Sequence, residues 1–327
     1  MENMSPTYAA GVDLGGTTIT TVLVNKQGEL LSQAKCLTEA AKGVDTVVGK
    51  IVESIKSTCL QANIDAENLS TIGIGSPGPL STKTGIVIDA PNLNNWVNVP
   101  LRDLVQKHFQ APVFLDNDAN AAAYGEFWIG AGKGYRNIMV ITLGTGIGGG
   151  MIIDGKLFRG PDDTAGEIGH IPILLDGPLC NCGNRGCLET LASATGLVNR
   201  AIHSLRFGVS SLMLNLCEND LNKLTAKMVH EAALKGDKLA IELLRETGYY
   251  IGIASASIVN LLNPELIIIF GGLSGAGEFL YAPIREEIKK RAFPTPAARV
   301  KVVPAILGNT AGAIGAAGIA LAEFHPE

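Results

Sequence analysis

Tyr8-Ala-Ala-Gly-Val-Asp13-Leu-Gly15-Gly16-Thr17-Thr18-Ile-Thr-Thr-Val-Leu-Val24 is an apolar run, a Gly/Thr turn and a β-branched run. That order predicts a strand, a tight hairpin and a second strand. A further turn at Asn25-Lys-Gln-Gly28 leads into Glu29-Leu-Leu. The pattern then returns as Ile138-Met-Val-Ile-Thr-Leu-Gly144-Thr145-Gly146-Ile-Gly148-Gly149-Gly150-Met-Ile-Ile-Asp154-Gly155-Lys156-Leu, with strand, Gly/Thr turn, strand and a third turn. Internal similarity of this kind implies two domains built on one plan and facing each other.

Other segments fill in that plan. A helix is expected near Val44 to Ala62, a strand over Ser70 to Gly75, and loops at Ser76-Pro77-Gly78-Pro79 and Pro91-Asn92-Leu93-Asn94-Asn95-Trp96. A strand over Val113 to Leu115 ends in Asp116-Asn117-Asp118, before a helix rich in Ala. The chain reads as helical from about Thr190 to Leu262, followed by a strand at Leu266 to Phe270, a last strand, and a helix of small residues from Ala311 to Ala322. Strands alternating with helices predict α/β domains with helices on both sheet faces.

Composition narrows the class. The chain has 327 residues, 46% hydrophobic and 17% charged, which suits two ordinary domains and leaves little for disorder. Net charge is −5, and the longest like-charge run, Lys289-Lys290-Arg291, fits a solvated helix face, so nucleic acid is not an expected partner. The apolar stretch from Ile258 to Leu273 is broken by Asn260, Asn263, Pro264 and Glu265, so no membrane span is expected. No targeting segment is read at Met1-Glu-Asn-Met-Ser-Pro; with cysteines expected to be reduced, the expected compartment is the cytoplasm.

Gly166-Glu167-Ile168-Gly169-His170 is followed by Cys180-Asn-Cys182-Gly-Asn-Arg-Gly-Cys187-Leu-Glu189. His170, Cys180, Cys182 and Cys187 supply the four N/S donors of a closed, structural Zn²⁺ tetrahedron, which would hold Glu167 and Glu189 near one point. The competing reading is buried thiols or a disulfide scaffold with a core histidine. It fits poorly a chain of this length whose other cysteines, Cys36, Cys59 and Cys217, are scattered.

The chain has no Walker-type loop, so a nucleotide would be held another way. Gly15-Gly16-Thr17-Thr18 offers unobstructed backbone N–H groups and two hydroxyls for phosphate, and Asp13 is placed to hold Mg²⁺ through water. An ordinary glycine hairpin would read the same way. Thr145-Gly146 in the second hairpin favours the phosphate reading, because two such turns could grip a polyphosphate from both sides. Gly271-Gly272 follows a buried strand, where an adenosine could lie or where the chain simply needs a close turn. Asp118 reads either as a helix N-cap or as a general base that takes a proton from an attacking hydroxyl. Asn92, Asn117, Glu167 and Glu189 would suit the several hydroxyls of a sugar, and the ring nitrogen of His170 not on zinc could join them.

Together these residues resemble the ROK family of sugar kinases and related repressors, nearly end to end. The resemblance rests on Asp13-Leu-Gly-Gly-Thr-Thr18, the Gly-Ser-Pro-Gly-Pro loop, Leu115-Asp-Asn-Asp-Ala-Asn-Ala-Ala-Ala and Leu143-Gly-Thr-Gly-Ile-Gly-Gly-Gly150. It rests most specifically on Gly166-Glu-Ile-Gly-His170 together with Cys-x-Cys-Gly-x-x-Gly-Cys-x-Glu. The resemblance implies a two-lobed, actin-like (ribonuclease-H-like) α/β fold with a hinged cleft. The lobes would be 1–117 plus 312–327, and 118–311. It implies a hexokinase-type enzyme of glycolysis that phosphorylates a hexose, glucose before N-acetylhexosamine, mannose or fructose, at the 6-hydroxyl with ATP and Mg²⁺. Asp118 would be the base. Gly78, Asn92, Asn117, Asp118, Glu167, His170 and Glu189 would contact sugar, with Asn94 and Asn95 as alternatives to Asn92. Asp13, Gly15, Gly16, Thr17, Thr18, Thr145, Gly146, Gly271 and Gly272 would bind nucleotide, and His170, Cys180, Cys182 and Cys187 would bind zinc. A homodimer or tetramer is expected. A sugar-sensing repressor is disfavoured, because the first strand begins near Tyr8 with no room for a helix-turn-helix before it.

Overall fold

A computed structural model of the chain describes residues 7–90, 92–94 and 96–324. In chain order the strands are β1 (Tyr8–Leu14), β2 (Thr18–Asn25), β3 (Leu30–Leu37), β4 (Leu69–Ser76), β5 (Leu80–Ser81), β6 (Ile86–Asp89), β7 (Val97–Val99), β8 (Val113–Asn117), β9 (Ile138–Leu143), β10 (Ile147–Ile153), β11 (Lys156–Phe158), β12 (Leu266–Phe270) and β13 (Lys301–Pro304). The helices are α1 (Val44–Gln61), α2 (Leu101–Gln106), α3 (Asp118–Trp128), α4 (Leu188–Ala192), α5 (Ala194–Arg206), α6 (Met213–Leu216), α7 (Ala226–Leu234), α8 (Lys238–Leu262), α9 (Glu278–Arg291), α10 (Pro294–Arg299) and α11 (Ala311–Phe324).

The repeated hairpins produce repeated sheets. One sheet has the order β3-β2-β1-β4-β8 and another the order β11-β10-β9-β12-β13. In each, the hairpin strands are joined to two further strands that run parallel to the first strand of the repeat. The two large sheets share one strand order within mixed α/β units, the class that the resemblance implies. By contact the described residues form two compact units. The first holds the chain up to Gly134, Gly150–Ala165 and the residues from Ile306; the second holds Tyr135–Gly149 and Gly166–Ala305. Helix α3 and residues 150–165 therefore pack with the first unit, whereas the boundaries implied by the resemblance place them in the second lobe.

In the first unit, the two faces of the sheet are covered by different helices, and strand alternation shows why. Ala10, Val12, Leu14, Ile19 and Leu23 pack in one core with Val47, Val48, Ile51, Val52 and Ile55 of α1. Ala9, Val22 and Val24 face the opposite way, against Ala313, Ile314, Ala317 and Leu321 of α11. On that second face the helix lies directly on the strands. A Cβ on Gly11 or Gly73 would overlap the carbonyl oxygen of Ala313 or Ala316, and Gly125 of α3 and Gly315 of α11 stand in the same relation to Ala311 and Ala121. The small residues of both helices are what permit this backbone-level approach.

The stretch from Thr190 to Leu262 is helical as expected, in α4 to α8 separated by turns, with Glu218 and Asn219 at positive φ in one of them. The three-stranded sheet β5-β6-β7 was not anticipated; its strands are only two to four residues long and give little periodic signal. No helix among the described residues is long and apolar enough to cross a membrane.

The contact between α11 and the sheet generates a test. Gly73→Val should cost at least about 3 kcal/mol or prevent folding, since the intruding atoms meet backbone, which cannot rotate away. A urea midpoint within about 1 kcal/mol of wild type would show that α11 can lift off the strands at little cost.

Candidate functional site

In the first unit the chemistry gathers at the carboxyl ends of three parallel strands, the usual ligand edge of an α/β sheet. Asp13 of β1 pairs with Gly75 of β4, which pairs with Asp116 of β8; Ser76 pairs with Asn117 in the next register. The turn Gly15–Thr17 leaves β1 at this edge and is closed by Gly15 N–H to Thr18 O at 3.0 Å. Thr38 braces it from the side, through its N–H to Thr17 O and its hydroxyl to Gly15 O at 2.6 Å. Asp13 lies against the start of α11, where a Cβ on Gly312 would stand 2.8 Å from its carboxyl carbon. Burial pushes the Asp13 carboxyl up to about 6.

The Asn-rich loop meets the phosphate turn directly. A Cβ on Gly16 would stand 2.9 Å from Asn92 O, so the two candidate ligand loops share a boundary of backbone atoms. Trp96, almost wholly buried, anchors this loop, and its carbonyl accepts the Ala90 N–H. Asn92 and Asn94 are exposed; Asn95 lies outside the described residues. Gly78 sits at φ +84°, where a Cβ would overlap Asp89 O, so the turn itself demands glycine.

At the end of β8 the structure changes one reading. Asn117, not Asp118, is the N-cap of α3: its side-chain oxygen accepts from Ala119 and Asn120 N–H at 2.9 and 3.3 Å. Strand conformation persists through Asn117 (φ −70°, ψ 146°), which makes Asp118 the first helical residue, with Oδ1 accepting from Ala119 N–H at 2.8 Å. Asn117 thereby spends its oxygen on the helix.

The second unit assembles the remaining candidates. The turn Gly144–Gly146 closes through Gly144 N–H to Gly146 O at 3.0 Å, and Ala194 N–H and the Thr195 hydroxyl at the start of α5 hold its carbonyls. Glu189, in the first turn of α4, accepts the Ile147 N–H at 2.8 Å through Oε2. One of its oxygens thus belongs to the glycine turn. Gly271, at φ +101°, stands where a Cβ would overlap Leu143 O, which makes it a close strand-to-helix turn; a Cβ on Gly272 would meet nothing.

His170 ends the short 3₁₀ turn Ile168–His170, which lies on β10 because a Cβ on Gly169 would overlap Ile147 O. Its Nδ1 is 3.7 Å from Cys180 Sγ, and Cys182 Sγ is 3.7 Å from Cys187 Sγ. All four donor atoms lie within 4.8 Å of one another. A tetrahedron of zinc–sulfur bonds of about 2.3 Å has edges of about 3.8 Å, so this donor set has the spacing of a metal site. The other ring nitrogen, Nε2, is 3.9 Å from Glu167 Oε2. Asn184 N–H and Cys180 bring the exposed Cys182 thiol down to about 7, while burial pushes Cys187 up to about 12. None of the six cysteines is in a disulfide.

Asp116, Arg159, Asp163 and Trp96 are not singled out by the sequence, yet all four lie in the loops and turns that frame these candidates. Asp116 looked like a neighbour of Asp118, and a lone Arg or Trp in a loop carries no spacing signal. In the structure Arg159 Nε donates to Asp116 Oδ2 at 2.7 Å, and Asp163 accepts from the N–H and hydroxyl of Thr82.

Residues 9–323 match the ROK family, so the chain belongs to it. It is 40% identical over 309 residues to a glucokinase of Thermotoga maritima, covering 94% of this chain and 96% of that one. It is 33% identical to a xylose repressor of Caldicellulosiruptor bescii, covering 96% of this chain and 78% of the repressor. A ROK family glucokinase from Streptomyces griseus, solved in complex with glucose and AMPPNP, superposes with a TM-score of 0.83 at 36% identity, covering 96% of this chain and 99% of that one.

Asp13 supplies a test independent of function. Its folded pKa lies above the ordinary 3.8, so its contribution to stability is lost as pH rises through about 6. Asp13→Asn removes that loss: the variant should be more stable than wild type at pH 7 by up to about 3 kcal/mol, with the gain vanishing near pH 4. Denaturant titrations at the two pH values check it, and equal stability at pH 7 would mean the carboxyl is well solvated.

Proposed function

We propose that this chain transfers the γ-phosphoryl group of ATP to the 6-hydroxyl of a hexose, with D-glucose the preferred acceptor. The observation that carries the proposal is the alignment of Asp13, Gly15–Thr18 and Asp116–Asp118 at the carboxyl ends of parallel strands of one mixed sheet. It puts a phosphate-type turn and a buried carboxylate on β1 and a helix-start carboxylate after β8, with only β4 between them. Membership of a family whose similar relatives include glucokinases, one of them solved with glucose and an ATP analogue, supports the same reading.

In this reading Asp118 takes the proton of the sugar hydroxyl as its oxygen bonds to the γ-phosphorus and the bond to ADP breaks. The carboxylate starts a helix and is tied to its first turn, so it is presented with little freedom. Asn92, Asn117, Glu167, His170 and Glu189 are assigned to sugar hydroxyls, with Gly78 shaping its loop. Thr17, Thr18, Thr145 and the glycines at 15, 16, 146, 271 and 272 are assigned to the nucleotide. The Asp13 carboxyl, desolvated against Gly312, fits the need for a cation: Mg²⁺, held there through water, would supply charge neutralisation on the phosphates. Zn²⁺ fits His170 Nδ1 and three thiolates and would supply a rigid anchor, leaving Nε2 and Glu167 aimed together. A cytoplasmic setting belongs to the same proposal. A homo-oligomer and a place in glycolysis belong to the same proposal on the family resemblance alone.

ADP release with ATP and a panel of hexoses tests the activity, with glucose expected to give the highest kcat/KM. Binding of a sugar without turnover of any would instead favour the sensor role seen in repressor relatives. Asp118→Asn should lower kcat by about 10²–10⁴ while sugar KM stays within several-fold. Near-wild-type turnover would leave Asp118 as a helix-start residue only.

The metal has its own test. Elemental analysis should find zinc at about one per chain, lost in Cys182→Ser, because a hydroxyl replaces a thiolate poorly. Sugar kcat/KM should fall by about 10² as Glu167 and His170 lose their anchor, with ATP parameters changing less. Metal-free protein with wild-type sugar kinetics would separate the cysteine loop from the sugar site.

A further inference from the structure

The turn that carries Asp118 is built around a different carboxylate. Asp116, with a side chain only 3% exposed, accepts the Asn117 N–H at 2.8 Å and the Asn120 side-chain amide at 3.0 Å through Oδ1. Its other oxygen receives Arg159 Nε at 2.7 Å. The three bonds reach the residue before Asp118, the residue two after it, and a separate segment of chain. Asn117 and Asn120 are thus tied to this group, and Ala119 and Asn120 to the Asn117 cap, on either side of Asp118 in the chain.

Arg159 is itself held from several directions. A second nitrogen of its guanidinium is 3.1 Å from Glu323 of α11, and its carbonyl accepts the Ala165 N–H at 2.9 Å, which closes the loop after β11. Within that loop Asp163 is bound to Thr82, next to β5. The cation is thus delivered to Asp116 by a braced loop. Nothing else among the described residues is seen to bring a positive charge to Asp116, and burial of an unpaired carboxylate is expensive.

We propose that Arg159 is a positioning residue for phosphoryl transfer: by pairing with Asp116 it sets the β8–α3 turn and so the place of Asp118. The inference rests on Asp118 being the base. Without the guanidinium, Asp116 either takes a proton or turns toward water, and either change loosens its hold on Asn117 and Asn120. Asp118 then shifts, while Asn92, Glu167, His170 and the glycine turns make no bond to Arg159 in the structure and keep their places. A shift of about 1 Å in a reacting group can cost about 10²-fold in rate. The expected signature is therefore a loss in kcat that exceeds any change in sugar binding, with nucleotide binding preserved.

The test is a double-mutant cycle between Arg159→Met and Asp118→Asn, read as kcat and KM for glucose and ATP, with circular dichroism and urea midpoints to confirm folding. Arg159→Met should lower kcat by about 10- to 100-fold with the ATP KM within about three-fold and the sugar KM, exposed through Asn117, rising by less than kcat falls. Arg159→Lys, which keeps the charge but not the forked geometry, should recover part of the loss. In the Asp118→Asn background Arg159→Met should change kcat little further, because the group it positions is already disabled. If Arg159→Met does not fold, the same cycle is run with Arg159→Lys, for which a smaller, equally non-additive loss is expected. Wild-type kcat in the Arg159 variant, or the same fold-loss with and without Asp118, overturns the inference. Wild-type kcat in Asp118→Asn alone overturns the base reading, and the inference with it, so the two failures are told apart.

Discussion

Helix α11 lies on β1 and β4 at backbone distance, and much else in the first unit follows from that one contact. Gly11 and Gly73 leave room for the carbonyls of Ala313 and Ala316, so the helix sinks onto the sheet instead of standing off on side chains. Its first turn is thereby brought against Asp13, where Gly312 removes solvent from the carboxyl. The same helix packs against α3 through Gly315 and Gly125, which determines how the helix bearing Asp118 leaves the sheet. A run of small residues without polar groups thus backs both Asp13 and the helix that starts at Asp118.

A second theme is that groups expected to face ligand also hold the framework. Asn117 caps α3, Glu189 binds Ile147 N–H, and Gly271 and Gly78 are required by their own turns. Such double use ties loop geometry to ligand geometry: the oxygen that orients a turn lies in the side chain assigned to a substrate hydroxyl. It also blurs the line between a structural and a functional residue, since removing either group disturbs both. The donor cluster at His170, Cys180, Cys182 and Cys187 shows the same economy, with one ring nitrogen toward the thiols and the other toward Glu167.

The fold was largely legible because period-two strands and glycine turns recur in the same order, and recurrence is a property of sequence alone. The hairpins at Gly15 and Gly144 formed where the turns predicted them, and the same strand order appeared in both large sheets. Short strands such as Leu80–Ser81 and Val97–Val99 were not legible, since two or three residues exhibit no periodicity. Of the turns within the Thr190–Leu262 stretch, two carry a glycine at positive φ, Gly208 and Gly236, whereas the turn at Glu218 and Asn219 has no glycine or proline marker.

The sequence by itself determined the types of group available: two glycine/threonine turns, a His/Cys₃ donor set, and an Asp-Asn-Asp at a strand end. Those are local, because the spacing within a motif is covalent. Tertiary structure alone decided which neighbour each group would serve. Asn117 rather than Asp118 became the cap because β8 ran two residues further than its apolar pattern. Asp116 became the centre of its turn because Arg159, 43 residues away in sequence, is folded onto it. A buried carboxylate needs a partner wherever the chain can supply one, and only packing in three dimensions settles which residue that is.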